Sequence, residues 1–312
     1  MISASLAVGT AAGRDRSAAT ISRMPKRLFN APTARDGAGP ALDIRRYAPA
    51  LGAEVRGVDL ADGLDPATYE QVRAALLAHQ VLFFKDQTEI SPRTQIGIGR
   101  MFGELHMHPA APRMEGYPEI FEIYVSRNSK IANGEFWHSD VSCDEVPPLG
   151  TILQLHILPP VGGDTLFANM YAAYDALSEP IKRMLEGLSA LHESEHVYRE
   201  RYSDRGVDDT GREYPAATHP VVRTHPETGR KALYVNRTFT TRINELEAAE
   251  SEALLGFLFD HCEGIDFQIR YRWERNDVAF WDNRCAMHRA IWDYWPERRK
   301  GRRVTIKGDR PT

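Results

Sequence analysis

The feature that most constrains this chain is a series of short β-rich runs that are not regularly interleaved with helices. IFEIYVS, GTILQLHIL, GDTLFANM, KALYVNR, DFQIRYRW, DVAFWDN and RRVTIKG are mostly alternating or β-branched, and Gly, Pro or Asn bounds them. A doubly wound parallel sheet needs a helix between successive strands, and that rhythm is missing. The pattern predicts a mainly β fold with helices, a sandwich or jelly-roll barrel. Three helices are signalled beside it. Asp65-Pro66 and Ser91-Pro92 each set an N-cap and a proline before TYEQVRAALLAH and RTQIGIGRMFGEL, and EAAESEALLGFLFDH supplies the third. Between the first two, VLFFKD reads as a buried strand.

The 312 residues suffice for a sizeable core. With 43 acidic against 39 basic residues, the net charge of −4 argues against a nucleic-acid binder that works by neutralising phosphates. There is no run of 18 apolar residues to span a membrane. Cys143, Cys262 and Cys285 are too scattered for a zinc knuckle or a disulfide framework, so a reducing, cytoplasmic setting is expected. Residues 1–40 lack apolar periodicity and read as a disordered tail, with Met24 an alternative start and a cleaved targeting peptide the lesser reading. Residues 41–312 carry the domain. The polar stretch from Asp204 to Ala217 reads as a mobile, lid-like loop.

The sharpest chemical feature is Trp137-His138-Ser139-Asp140. In an extended strand, residues i and i+2 share a side, so His138 and Asp140 can reach one point. That supplies two ligands of a two-histidine, one-carboxylate face suited to non-heme Fe(II), with His288 the candidate third. A surface hydrogen-bonded couple is the plainer reading of an HxD pair taken alone. Downstream, Arg298 to Arg303 leads into a strand, where an arginine fork can hold a carboxylate; a solvated basic turn is the alternative. Gly162-Gly163-Asp164-Thr165 offers a hydroxyl for the same carboxylate, or simply a tight turn. His106 and His108 form a rival pair at strand spacing, but no carboxylate follows them at ligand spacing. His219 and His225 read as structural. Signatures of zincins, α/β-hydrolases and P-loop enzymes are absent.

WHSDVS, PPVGGDTLFANMYAAYDALSE, HPVVRTHPETGRKALYVNRTFTTRI and WDNRCAMHRAIWDYWPERRKGRRVTIKGD together resemble the TauD/TfdA family of Fe(II)- and 2-oxoglutarate-dependent dioxygenases, nearest its taurine-acting members. The likeness runs from about Leu42 to the C-terminus. It implies a double-stranded β-helix flanked by α-helices, with Fe(II), 2-oxoglutarate and O2 as cofactor and cosubstrates. His138, Asp140 and His288 match the iron ligands. Thr165 and Arg299 match the pair that holds 2-oxoglutarate. His108, Val141, Val197, Tyr198, Phe239 and Arg303 match substrate positions, with Arg303 as the sulfonate grip. A homodimer or homotetramer is also implied.

Four positions depart from the taurine pattern: Ala111 replaces a tyrosine, Gly134 an asparagine, and Val197-Tyr198 a Ser-Phe pair. Partners for an amine are lost while the anion side is kept. The expected substrate is therefore a small organic anion without taurine's ammonium, or a larger one. The expected reaction is hydroxylation of an alkyl sulfonate, giving succinate, CO2, an aldehyde and sulfite. An alkyl sulfate or aryloxyalkanoate is the alternative substrate. A non-catalytic metal-binding jelly roll is the alternative from another class, and a zinc hydrolase lacks an evident general base.

Overall fold

The computed structural model describes residues 41–203 and 206–312. The expected tail, residues 1–40, and two residues of the expected lid lie outside that range. All seven runs read as strands are strands. The largest sheet has the order β1 (Asp43–Arg46), β2 (Ala53–Arg56), β3 (Val81–Phe84), β14 (Val278–Asp282), β6 (Pro148–Ile157), β16 (Arg299–Lys307) and β4 (Leu105–His106), and β5 (Phe121–Val125) also pairs with β16. Every pairing in it is antiparallel except that of β2 with β3. A facing sheet consists of β13 (Gln268–Tyr271), β7 (Thr165–Asn169) and β15 (Ala286–Ala290). Two smaller sheets complete the set: β12 (Thr240–Ile243) with β8 (Ser189–Glu193) and β9 (Ala216–Pro220), and β10 (Val222–Thr224) with β11 (Lys231–Leu233).

Strand alternation explains why the large sheet is buried on both sides. Phe83, Leu153, Ala279 and Trp281 face inward and meet Phe167, Ile269, Tyr271 and Ala286 of the facing sheet. Phe83 lies flat on Tyr271, centroids 3.7 Å apart, which joins the two layers. Leu82, Phe84, Ile152, Val278 and Phe280 point the other way. They are covered by helices α1 (Pro66–His79) and α2 (Pro92–Phe102). The proline-led helix starts hold: the Asp65 side chain accepts from the amides of Ala67 and Thr68, and Ser91 accepts from that of Thr94. α3 (Met170–Ala176) and α6 (Ala248–Cys262) pack behind the facing sheet. α4 (Glu179–Leu185) and α5 (Glu195–Tyr198) are short connectors. This is the jelly-roll architecture expected from the strand count.

Candidate active site

The metal-ligand candidates meet between the two layers, although not as an extended strand. His138 forms an isolated bridge with His288, and Asp140 begins a turn. Val141, the next residue of that turn, has φ 45°, a left-handed conformation that a β-branched residue rarely adopts. The bridge is reciprocal: His138 N donates to His288 O at 3.0 Å, and His288 N to His138 O at 2.9 Å. The chain thereby aligns the two imidazoles through their own backbones. His138 Nε2 and His288 Nε2 lie 3.7 and 4.0 Å from Asp140 Oδ1. The His138 Nδ1 proton is taken by the carbonyl of Phe136 at 2.8 Å, which turns Nε2 toward the carboxylate.

Burial sets the protonation of this cluster. Desolvation pushes both imidazoles below their ordinary proton affinity, so they are neutral and have lone pairs to give. Burial by itself would raise the Asp140 pKa, but Arg303, then His288 and His138, hold it below the usual carboxylate range. Arg303 Nη1 donates to Asp140 Oδ1 at 2.6 Å, and Thr151 Oγ1 donates to Oδ2 at 2.8 Å. Asn283 fixes the backbone by accepting from Asp140 N, and Trp281 Nε1 orients that same amide oxygen. Two neutral imidazoles and one ionised carboxylate converging on a cavity fit a non-heme ferrous ion with open positions.

Strand β16 delivers the arginines. Alternation places Arg299, Gly301 and Arg303 on its buried face, while Lys300 and Arg302 point outward. Arg299 Nη2 donates to Thr165 Oγ1 at 3.3 Å and Nε to the Gly163 carbonyl at 3.2 Å. Trp273 Nε1 donates to the same threonine oxygen at 2.9 Å. Arg299 is 3 % exposed, and among the described residues no carboxylate pairs with it. A buried guanidinium in that condition fits the distal carboxylate of 2-oxoglutarate.

All eleven candidate residues line one cavity: His108, His138, Asp140, Val141, Thr165, Val197, Tyr198, Phe239, His288, Arg299 and Arg303. His108 Nδ1 accepts from the amides of Ala110 and Ala111, which leaves Nε2 as its donor. Phe121, Tyr198 and Phe239 are apolar walls. Gly134 also lines the cavity; with φ +78°, a Cβ there would lie 3.1 Å from His138 Cε1. His106 instead pairs with Asp144 at 2.6 Å and contributes no ligand cluster with His108 among the described residues. His225 is held by Asp282 and by the amides of Glu227 and Thr228, and His219 by the Asp144 carbonyl, as structural residues are. Sequence reasoning missed Thr151 and Asn283 behind the aspartate, and Arg201 and Asn133 at the cavity wall.

Comparison with known proteins agrees with this geometry. Residues 43–305 match the family described as "Taurine catabolism dioxygenase TauD, TfdA family". The chain is 37 % identical to an alpha-ketoglutarate-dependent sulfate ester dioxygenase of Pseudomonas putida, over 86 % of this chain and 91 % of that protein. It is 36 % identical to an alpha-ketoglutarate-dependent sulfonate dioxygenase of Saccharomyces cerevisiae, over 86 % of this chain and 68 % of that one. The crystal structure of a taurine dioxygenase from Burkholderia xenovorans superposes with a TM-score of 0.76 at 34 % identity, covering 88 % of this chain and 91 % of that one. The jelly roll, the His-Asp-His face and these matches agree: the chain belongs to the TauD/TfdA family and is an Fe(II)- and 2-oxoglutarate-dependent dioxygenase.

Proposed function

We propose that the enzyme hydroxylates the carbon beside sulfur in an alkyl sulfonate, with His138, Asp140 and His288 as iron ligands and Arg299 and Thr165 holding 2-oxoglutarate. Iron and 2-oxoglutarate supply the oxidising chemistry: O2 is consumed, and succinate and CO2 are released. The chain's own residues bind, aim and dry the reactants. Arg299 and Thr165 grip the distal carboxylate of the cosubstrate. His108 and Arg303 receive the substrate anion, and Val197, Tyr198 and Phe239 enclose its carbon chain. A hydroxyl placed beside the sulfonate makes the C–S bond labile, and the adduct parts into an aldehyde and sulfite. The single observation that carries this reading is the buried Arg299, with no carboxylate partner among the described residues, in the same cavity as the three candidate ligands.

The apolar walls and the missing amine partners favour an alkyl chain over taurine. The similarity to a sulfate ester dioxygenase favours a second reading, in which the same carbon is hydroxylated beside a sulfate ester and inorganic sulfate leaves. Incubating enzyme with Fe(II), 2-oxoglutarate, O2 and either hexanesulfonate or hexyl sulfate separates the two. Succinate matched by sulfite supports the first reading, and succinate matched by sulfate supports the second. Succinate coupled to neither would defeat both. We further propose that residues 41–312 act as one catalytic unit, that the enzyme assembles as a dimer or tetramer, and that it works in the cytoplasm, the last in keeping with its three buried free thiols. Among the described residues no helix is long and apolar enough to cross a membrane.

A further inference from the structure

Arg303 gives Nη1 to Asp140, so the cation expected to meet the substrate already has an anion beside it. Arg299 is engaged with Thr165 and Gly163 on the cosubstrate side. A third guanidinium lines the same cavity. Arg201, just after α5, gives Nε to Asn133 Oδ1 at 3.2 Å and Nη2 to the Ala132 carbonyl at 2.7 Å. Both acceptors are neutral, and among the described residues no carboxylate pairs with it. A clasp between two loops accounts for those bonds, and among the described residues Nη1 has no acceptor.

His108, Arg201 and Arg303 line one cavity, and burial first, then the nearby guanidiniums of Arg303 and Arg201, lowers the affinity of the His108 ring for a proton. The ring has already spent Nδ1 on the amides of Ala110 and Ala111. Its Nε2–H is therefore left to donate into the cavity that Arg303 and Arg201 also line. We infer that Arg201 is a specificity-determining residue, the third corner of a cradle that selects a head group with three terminal oxygens over a planar carboxylate. A sulfonate or sulfate ester has an oxygen for each of Arg303, His108 and Arg201. A carboxylate has two and leaves one of the three donors without an oxygen of its own. This rests on the substrate reading above and names the residue that sets its head group.

The test is binding to the anaerobic Fe(II)/2-oxoglutarate enzyme, read by tryptophan fluorescence, since Trp281 lines the cavity. Hexanesulfonate, hexyl sulfate and hexanoate are titrated against wild type, Arg201→Gln and Arg201→Lys. The expected result is that Arg201→Gln weakens sulfonate or sulfate binding roughly tenfold or more while changing hexanoate little, as loss of one charge-assisted bond requires. Arg201→Lys should restore most of the loss, and 2-oxoglutarate affinity should hold in all three proteins. Which of hexanesulfonate and hexyl sulfate binds more tightly identifies the source of the head group. Equal weakening for all three anions, or undiminished binding in Arg201→Gln, overturns the inference and spares the substrate reading. A Gln variant that melts lower and is not rescued by Lys marks Arg201 as a clasp and overturns it too. Wild type that binds neither sulfur anion overturns the substrate reading, and the inference with it.

Discussion

At the residue scale, Asp140 carries the heaviest load. One oxygen faces both imidazoles and Arg303, and the other is tied to Thr151. Replacing Asp140 or His138 by alanine should abolish succinate formation with the fold intact, checked by circular dichroism beside the assay. Replacing Arg299 by methionine should instead raise the KM for 2-oxoglutarate by tenfold or more, because charge-assisted bonds of about 1.5–3 kcal/mol are lost; an unchanged KM would remove Arg299 from the cosubstrate site. The candidate ligands could be picked out because His138, Asp140 and His288 sit in family-specific strings. Their local conformation was not, since the reading put both on one strand and the chain makes a bridge and a turn. Thr151 and Asn283 were illegible for another reason. They matter only because β6 and the segment after β14 are folded against the aspartate, which no local spacing announces.

At the element scale, β16 is the part that organises the site. It carries Arg299 and Arg303 two turns of the pleat apart, with Gly301 between them on the same face. A Cβ at Gly301 would lie 2.2 Å from the Gln154 carbonyl oxygen and 2.6 Å from a Leu155 methyl, both on the neighbouring β6. Gly301→Ala should therefore push β16 away from β6, lower the melting temperature, and cost about 1–3 kcal/mol, the usual range for overpacking. It should also weaken 2-oxoglutarate binding; a variant with wild-type melting and binding would show that the strands give way without consequence. The apolar strands β3, β6 and β14 could be read directly because they are buried on both faces. Polar strands such as β1 (DIRR) and β12 (TTRI) could not, for they lie at sheet edges where packing leaves little mark on composition. β15, which holds His288, was also unread: AMHRA is brief and gains its strand conformation by pairing with β7.

At the scale of the whole molecule, buried histidines make stability depend on pH. His192 is fully enclosed, and burial, helped by His219, lowers its pKa to about 3. In the unfolded chain it takes up a proton near about 6.5. Between those values unfolding binds a proton that the native state refuses, so the stability present above about pH 6.5 is lost as pH falls toward about 3. Urea midpoints of the metal-free protein measured from about pH 7 to about pH 4 should fall more steeply for wild type than for His192→Gln. Parallel slopes would mean that His192 titrates alike in both states.

The reciprocal hydrogen bonds between His138 and His288 bear on how long each molecule of enzyme remains useful. Oxygen chemistry is hard on ferrous centres, and an ion that spoils must be exchanged. In a protein whose metal is the only tie between distant segments, losing the ion means losing the structure. Here peptide groups 150 positions apart in sequence hold hands without it, so the barrel can stand while its occupant is replaced. Chelator-treated protein should keep its circular dichroism spectrum and a cooperative melt, and returning Fe(II) should restore full succinate formation. Collapse on chelation would show that the metal, and not the main chain, is the keystone. Survival would make the iron a consumable part in a durable housing.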